Sequence, residues 1–382
     1  MNSLAANTAA PCATSIHEAM RAAMRSAPTL NPEAAFPRDW WRHIASRGLL
    51  GIGFGAGENA TRARWPEVAS MSGEIARRTG RVGLGLGWLM NEMLGRFVIA
   101  PHCDNQNHLD LIREMMRGEK IAALAISEPD VGAHPKYLSC RARLESDHWQ
   151  LDGEKSYVSN GPSADVFVIL AVTGETAGRK AFDAFVVDAG AQGLTRVPSN
   201  RPGLLAPLGH CGLSLQACRV PLTSRLRTDG NGFDRIARPL RTVEDTLLAG
   251  TMVGAMRAEI DVLVAILRDA APAPPHLSVL GALQLELAAL DSLSVSVAGR
   301  LESHGVDQSQ ADLNAGIRIL LARWQDSCEA FARSLEIQEP QFPIISRDLR
   351  TVLGIARRVG EARHLSAASA LINSKEPDEV PA

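Results

Sequence analysis

The chain has 382 residues, of which 46% are hydrophobic and 21% are charged, a composition typical of an ordinary soluble globular protein. Its formal net charge of −2 argues against nucleic acid or an anionic membrane surface as the main partner. We expect no membrane span, because no apolar run approaches the roughly 20 residues that cross a bilayer. The opening segment lacks the apolar core of a signal peptide, so the cytoplasm is the expected location.

The cysteines show no pattern that would indicate a metal site. None of them stands in a Cys-x-x-Cys pair or at Cys/His ligand spacing, and we expect reduced, mostly buried thiols rather than disulfides or metal ligands. The six are Cys12, Cys103, Cys140, Cys211, Cys218 and Cys328.

The hydrophobic pattern changes twice along the chain. Residues 1–117 carry apolar positions three and four apart and are predicted to form an N-terminal helical domain. Residues 118–225 contain short β-prone runs separated by Gly, Pro, Asn and Ser, which predicts a middle domain built as an antiparallel β-barrel. Residues 226–382 are predicted to form a C-terminal four-helix bundle, with helices at 234–270, 278–303, 311–335 and 346–373, and a disordered acidic tail. The fold class is therefore α+β.

Three segments carry a resemblance to a known family. They are "LIREMMRGEKIAALAISEPDVG" (111–132), "GEKSYVSNGPSADVFVILAVTG" (153–174) and "LGHCGLSLQACRVPLTSRLRTDGNGF" (208–233). In this order and spacing they resemble the acyl-CoA dehydrogenase family, and the likeness covers nearly the whole chain. The resemblance implies that family's fold, its FAD cofactor and its activity, the α,β-dehydrogenation of an acyl thioester.

The same resemblance implies a set of residues for the flavin. Ser127 stands where the family has a Thr that hydrogen-bonds the flavin ring, and Tyr157, Val158 and Ser159 stand for its aromatic–Ile–Thr trio beside the ring. A flavin's pyrimidine edge needs several fixed donors, and backbone amides at Ser127, Gly132 and Ser159 are candidates. These residues are equally typical of strand ends and turns. The full implied set is Ile126, Ser127, Gly132, Tyr157, Val158, Ser159 and Arg268.

Dehydrogenation of a thioester needs a carboxylate that removes the α-proton. The family's usual Glu position falls on Ala356 in "ISRDLRTVLGIARRVGEAR", so the usual base is absent. A minority of the family, isovaleryl-CoA dehydrogenase among them, carries the base on the first bundle helix, and "RTVEDTLLAGTMVG" puts Glu244 there. The backbone N–H of Ala356 is then implied as a donor to the thioester carbonyl.

Helix geometry gives Glu244 a second, independent argument. Its neighbours at i−4, i+3 and i+4 are Leu240, Leu247 and Leu248, so the carboxylate shares an apolar face, and desolvation makes it a better proton acceptor. The alternative is that Glu244 pairs with Arg241 and does no chemistry. Asp245 is interpreted as a surface partner of Arg241.

The contacts to the adenine half of FAD depart from the family pattern. Arg268 stands for an Arg that should precede Phe-Gly, but "RDAAPAPP" has no Phe-Gly, and "LEIQEPQFP" has no Gly-Gly. His210, beside Cys211, is interpreted as a turn residue next to a buried thiol.

The sequence thus favours a flavin-dependent acyl-CoA dehydrogenase acting on a small or branched acyl thioester, with Glu244 as base. The resemblance further implies a thioester on CoA or an acyl carrier protein, an electron acceptor similar to electron-transfer flavoprotein, and a homodimer or homotetramer. Two alternatives stay open at this stage: a flavin monooxygenase of the same fold, and a catalytically degenerate homologue that acts as a binding partner or subunit.

Overall fold

The structure is a computed structural model that describes residues 13–25, 36–55, 62–199, 203–270, 272–355 and 357–373. Five α-helices precede the strands in the described chain: α1 Ala13–Arg25, α2 Arg38–Ser46, α3 Trp65–Thr79, α4 Val82–Met93 and α5 Gln106–Met116. A π-helical turn, Leu94–Ile99, continues directly from α4. The Gly-x-Gly run at 83–88 lies within α4, where its glycines allow close packing.

The strands form one mixed sheet. They are β1 Ala122–Ala125, β2 Arg141–Leu144, β3 His148–Ser159, β4 Val166–Thr176, β5 Arg179–Asp188, β6 Leu194–Pro198, β7 His210–Pro221 and β8 Arg225–Leu226. Their order is β6-β7-β3-β2-β4-β5-β8, with β1 beside β4. Most neighbours are antiparallel as predicted, but β1 and β2 each run parallel to β4. The prediction of a closed barrel is wrong, because no pairing between described strands joins β6 to β8.

Strand β4 shows why this sheet has two buried faces. Its side chains alternate, so Val166, Val168 and Leu170 join the large core shared with the helices. Phe167 and Ile169 join a second core on the other face. A strand covered on both sides reads as a continuous apolar run, which is what "VFVILAV" is.

Five helices follow the sheet in the described chain, where four were predicted. They are α6 Arg238–Asp269, α7 Pro274–His304, α8 Gln308–Ser334, α9 Gln341–Gly354 and α10 Arg357–Asn373. The helix predicted over 346–373 is divided, because α9 ends at Gly354 and Ile355 has an extended backbone (φ −61°, ψ 129°). The acidic tail lies outside the described residues.

Helix α6 is the centre of the helical part. It is buried along almost its whole length and packs against α3 as well as α7, α8 and α9. The crossing with α3 is a backbone-to-backbone contact: a Cβ at Gly254 would overlap the carbonyl oxygen of Gly73, and one at Gly250 would overlap that of Ala69. The hydroxyls of Ser72 and Thr251 hydrogen-bond at the same crossing.

Helix α7 is unusually apolar for its length. By length and composition alone it is apolar enough to cross a bilayer, with a mean hydropathy of 1.3 over its most apolar 18 residues, of which 22% are buried. The sequence analysis expected no such segment. The helix packs into the bundle through residues such as Leu283 and Leu287, while Leu277 and Leu285 on its outer face are exposed.

We predict that Gly254→Ala destabilises the fold by about 1–3 kcal/mol, because the new methyl group must push α3 and α6 apart. Gly281→Ala is the matched control, since Gly281 lies in α7 with open space around it. There the change is expected to be neutral or to stabilise by up to about 1 kcal/mol. Urea unfolding of the three proteins measures both effects, and equal stability of the two variants would contradict the close crossing.

Candidate active site

A cavity of about 740 Å³ lies where the sheet, α4, α6 and α9 meet. This volume is within the range of about 300–1,000 Å³ that is usual for small-molecule sites. Its wall is mostly apolar, with Met90, Met93 and Leu94 on one side and Leu204, Leu205 and Leu240 on another. The polar and charged residues that line it are Ser127, Ser156, Tyr157, Ser159, Ser199, His210, Arg241, Glu244, Arg350 and Thr351.

A buried ion pair holds the loop that follows β1. Lys155 Nζ lies 2.9 Å from Glu128 Oε1, and the two side chains are 0% and 4% exposed. Glu128 also accepts from the amide and hydroxyl of Ser139 and the amide of Cys140. Lys155 donates a second hydrogen bond, of 3.1 Å, to the carbonyl of Ile126. The pair therefore ties both ends of the segment 126–128 to strand β3.

The charge state of Glu128 follows from these contacts. Burial by itself would raise the pKa of Glu128. The charge of Lys155 and the hydrogen bonds from Cys140, Lys155 and Ser139 outweigh burial and leave the pKa below its ordinary 4.5. The carboxylate is thus ionised at neutral pH, and the pair is a true ion pair.

A β-bulge in β3 presents Tyr157 to the cavity. Lys155 pairs with Leu213 and Val158 with Cys211, so Ser156 and Tyr157 stand opposite the single residue Gly212. Tyr157 has φ +56° and is 77% exposed. A left-handed conformation is strained for a bulky residue, and such strain clusters at binding sites. The bulge turns the ring out of the sheet and onto the rim of the cavity.

Glu244 lies on the second turn of α6 and faces this cavity together with Leu240. Burial raises its pKa above the ordinary 4.5, the charges of Arg241 and Arg318 act against burial, and that of Asp245 acts with it. Within the described part of the chain Glu244 has no ion-pair or hydrogen-bond partner. Arg241 pairs instead with Asp245, at 3.0 Å. Asp245 is 10% exposed, so the predicted surface pair is in fact largely buried on the Asp side.

Of the residues that the resemblance implies for the flavin, some line this cavity and others do not. Ile126, Ser127, Tyr157 and Ser159 all line it. The side chain of Val158 instead points into the second core of the sheet. The amide of Gly132 donates to the carbonyl of Glu128, so it closes its own loop (φ +60°) and is not the free donor that was predicted.

Two further predicted residues stand apart. Arg268 is exposed on α6, roughly 36 Å along the helix from Glu244 at about 1.5 Å per residue, and does not reach this cavity. Ala356 lies outside the described residues. Its neighbours Gly354 and Ile355 line the cavity.

The sequence reading missed His210. It lies on β7 directly opposite Ser159 and lines the cavity, and burial lowers its pKa below 6.5, so the imidazole is neutral at pH 7. Its neighbour Cys211 is buried on the other face, as expected. Only the strand register shows that His210 faces the site, and register is not readable from one sequence.

The cavity holds donors that lack a protein partner. The hydroxyl of Ser156 is buried and has no hydrogen-bond partner among the described residues. The amide of Ser127 likewise donates to no acceptor in the described chain, although its carbonyl accepts from the amide of Ser156 at 2.8 Å. Since buried polar groups are normally paired, these atoms fit a polar ligand in the cavity.

The described residues show no metal centre. No group of three or more His, Cys, Asp or Glu among them is placed to hold a metal ion. The five cysteines in the described ranges are unpaired thiols, and four of them are buried.

Comparison with known proteins shows which family the chain resembles. Residues 123–218 match the model of the acyl-CoA dehydrogenase middle domain. In sequence the chain is 29% identical over 229 residues to mitochondrial isovaleryl-CoA dehydrogenase of Pongo abelii, a match over 59% of this chain and 53% of that protein. Residues 123–218 are therefore similar to an acyl-CoA dehydrogenase middle domain, and the chain resembles members of the acyl-CoA dehydrogenase family. It spans about half the length of the curated relatives that it matches.

Solved structures of the acyl-CoA dehydrogenase family have the same fold. Butyryl-CoA dehydrogenase of Megasphaera elsdenii superposes with a TM-score of 0.80 at 17% identity, covering 94% of this chain and 98% of the other. A glutaryl-CoA dehydrogenase of Mycobacterium smegmatis in complex with FADH2 gives a TM-score of 0.75 at 17% identity, covering 96% of each. At these identities the likeness establishes the fold.

We predict that Lys155→Met costs about 3–5 kcal/mol of unfolding free energy, because it leaves Glu128 buried without a counter-ion. Lys136→Met is the control, since Lys136 is exposed. The ion pair stabilises the fold above pH 4.5, and its contribution is lost as the pH falls through the lowered pKa of Glu128. Urea unfolding at pH 7 and pH 4 measures this, and a Lys155→Met protein as stable as the control at pH 7 would contradict the assignment.

Proposed function

We propose that the protein is a flavin-dependent acyl-CoA dehydrogenase acting on a small or branched acyl thioester. The observation that carries the proposal is the position of Glu244: a carboxylate without an ion-pair partner in the described chain, with a raised pKa, in the same cavity as Ser127, Tyr157 and Ser159. The similarity to isovaleryl-CoA dehydrogenase, an enzyme named for a branched acyl substrate, supports the substrate class.

The residues present fit the flavin ring of FAD in this cavity. The unpartnered Ser156 hydroxyl and Ser127 amide supply donors for the polar edge of a flavin ring, Ser159 adds a hydroxyl, and Tyr157 supplies a flat surface. When bound, the flavin supplies the acceptor for the hydride that leaves the substrate Cβ. Arg268, the residue implied for the adenine half of FAD, does not line this cavity, because it lies elsewhere on α6.

The chain's own chemistry rests on Glu244. Its carboxylate accepts the proton from the substrate Cα, and the apolar surroundings that raise its pKa make it a stronger base at neutral pH than a solvated Glu. The leucine and methionine side chains of the wall exclude water from the acyl group and leave room for a short or branched chain. The neutral His210 adds no charge to the cavity at pH 7.

The two alternatives are weaker on this geometry. A flavin monooxygenase activates oxygen and has no need for a desolvated carboxylate at the position of Glu244. A degenerate homologue would have no reason to keep the cavity open with its donors unpartnered.

We further propose CoA or an acyl carrier protein as the thioester carrier, an acceptor similar to electron-transfer flavoprotein, and a homodimer or homotetramer. The exposed leucines of α7 support self-association.

We predict that Glu244→Gln lowers the rate of dehydrogenation of isovaleryl-CoA by about 100- to 10,000-fold, the range usual for loss of a general base. Bound FAD is expected to keep its absorption spectrum, because Gln has nearly the same size and Glu244 is not among the flavin residues. The control is Glu286→Gln, an exposed residue of α7. Full activity of the Glu244 variant would overturn the role of this residue.

A further inference from the structure

Helix α8 presents one polar stripe to the helix that carries Glu244. Gln310, Asn314 and Arg318 are spaced four residues apart, so they share one face of α8. We call these three residues the polar stripe. Each of them contacts α6 or the end of α9, and none of them was singled out by the sequence analysis.

The first two members of the polar stripe fix α6. The Asn314 amide donates to the carbonyl of Thr242 and accepts from the hydroxyl of Thr246, both at 3.0 Å. Gln310 donates to the same hydroxyl, also at 3.0 Å. Thr242 and Thr246 stand two residues before and two after Glu244. Because α6 is apolar on nearly all sides, hydrophobic packing alone defines its rotation poorly, and these directional bonds define it.

Arg318, the third member, closes the end of α9. Its guanidinium donates to the carbonyls of Ile355 at 2.8 Å and Val352 at 3.2 Å. The last carbonyls of a helix have no partner within the helix. Arg318 supplies the carbonyl of Ile355, just after the helix end, with a donor, and it adds a second donor to the carbonyl of Val352, which also accepts from the amide of Ile355. Gly354 and Ile355 lie in the cavity wall at this point.

The same guanidinium faces α6. Arg318 Nη2 lies 3.9 Å from Asp245 Oδ1, a buried oxygen without a hydrogen-bond partner among the described residues. Asp245 is bound on its other oxygen by Arg241. The side chain of Arg318, which is 20% exposed, therefore lies between Asp245, the residue next to Glu244, and the turn Gly354–Ile355 in the facing wall of the cavity.

We propose that Arg318 is a positioning residue that holds the turn Gly354–Ile355 at a set distance from Glu244, so that a thioester carbonyl on this turn has its α-carbon within reach of the carboxylate. This rests on the proposed function. Without Arg318 the end of α9 loses two hydrogen bonds and its electrostatic link to α6. A displacement of about 1 Å in such a site costs about 100-fold in rate.

The charged groups around Glu244 make a pH test possible. They are Arg241 and Asp245 on α6, Arg318 on α8 and Arg350 on α9. Arg350 is itself paired with Asp326 and Glu329. His210 on β7 also lines the cavity but is neutral at pH 7. The charge of Arg318 lowers the pKa of Glu244. Its removal should therefore shift the acidic limb of the pH profile of kcat/KM to higher pH, which a merely structural role would not do.

The test compares Arg318→Met, Arg318→Lys and the control Arg323→Met, an exposed residue of the same helix. We expect Arg318→Met to lower kcat for isovaleryl-CoA about 10- to 100-fold with FAD binding unchanged, and to shift the acidic limb upward. Arg318→Lys keeps the charge and hence the position of the limb, but stays slow because an ammonium group does not bridge two carbonyls as a guanidinium does. An Arg318→Met protein that behaves as Arg323→Met would overturn the proposal.

A second measurement does not depend on turnover. Hydrogen exchange of the backbone amides near the end of α9, at residues 349–355, is expected to be faster in Arg318→Met than in the wild type at equal global stability. If the wild type oxidises no acyl-CoA, the proposed function fails, while this exchange still decides whether Arg318 holds the turn. Unchanged exchange would refute the holding role even in an active enzyme.

Discussion

The buried ion pair between Lys155 and Glu128 is the contact on which the candidate site depends. It joins the loop after β1 to the bulged strand β3. Ser127 and Tyr157, which lie close to the pair in sequence, are among the residues that line the cavity. Burying two charges costs solvation free energy, so the pair adds little net stability. Its hydrogen bonds are directional, however, and together they allow only one arrangement of the loop. The strained backbone of Tyr157 persists because this arrangement holds the residues next to it.

The opposite wall of the cavity depends on a different kind of contact. Glycines let α3 and α6 approach backbone to backbone, and the polar stripe of α8 sets the rotation of α6. Glu244 thus lies near the N-terminal end of a largely buried helix. This explains how a carboxylate is both desolvated and open to a ligand.

Much of the local structure was predictable from the sequence. The apolar neighbours of Glu244 recur at helical spacing and the apolar run of β4 is continuous, and the structure buries both patterns. Ser127, Tyr157 and Ser159, which the motif segments single out, all line one cavity.

What failed depended on contacts between residues distant in sequence. The break in the predicted helix 346–373 coincides with hydrogen bonds from Arg318, on another helix. The open sheet depends on whether β6 meets β8, and the role of His210 depends on its register with Ser159. The assignment of Arg268 to the adenine half of FAD stays a prediction, and α6 places this residue outside the cavity that Glu244 lines.

The proposed activity requires that this cavity bind a redox-active flavin beside Glu244. Titration of the purified protein with FAD, followed by anaerobic addition of isovaleryl-CoA while the absorption near 450 nm is recorded, tests it most directly. We expect a saturable yellow complex that the thioester bleaches. A protein that stays colourless after incubation with FAD, or a yellow complex that no small or branched acyl-CoA bleaches, would contradict it.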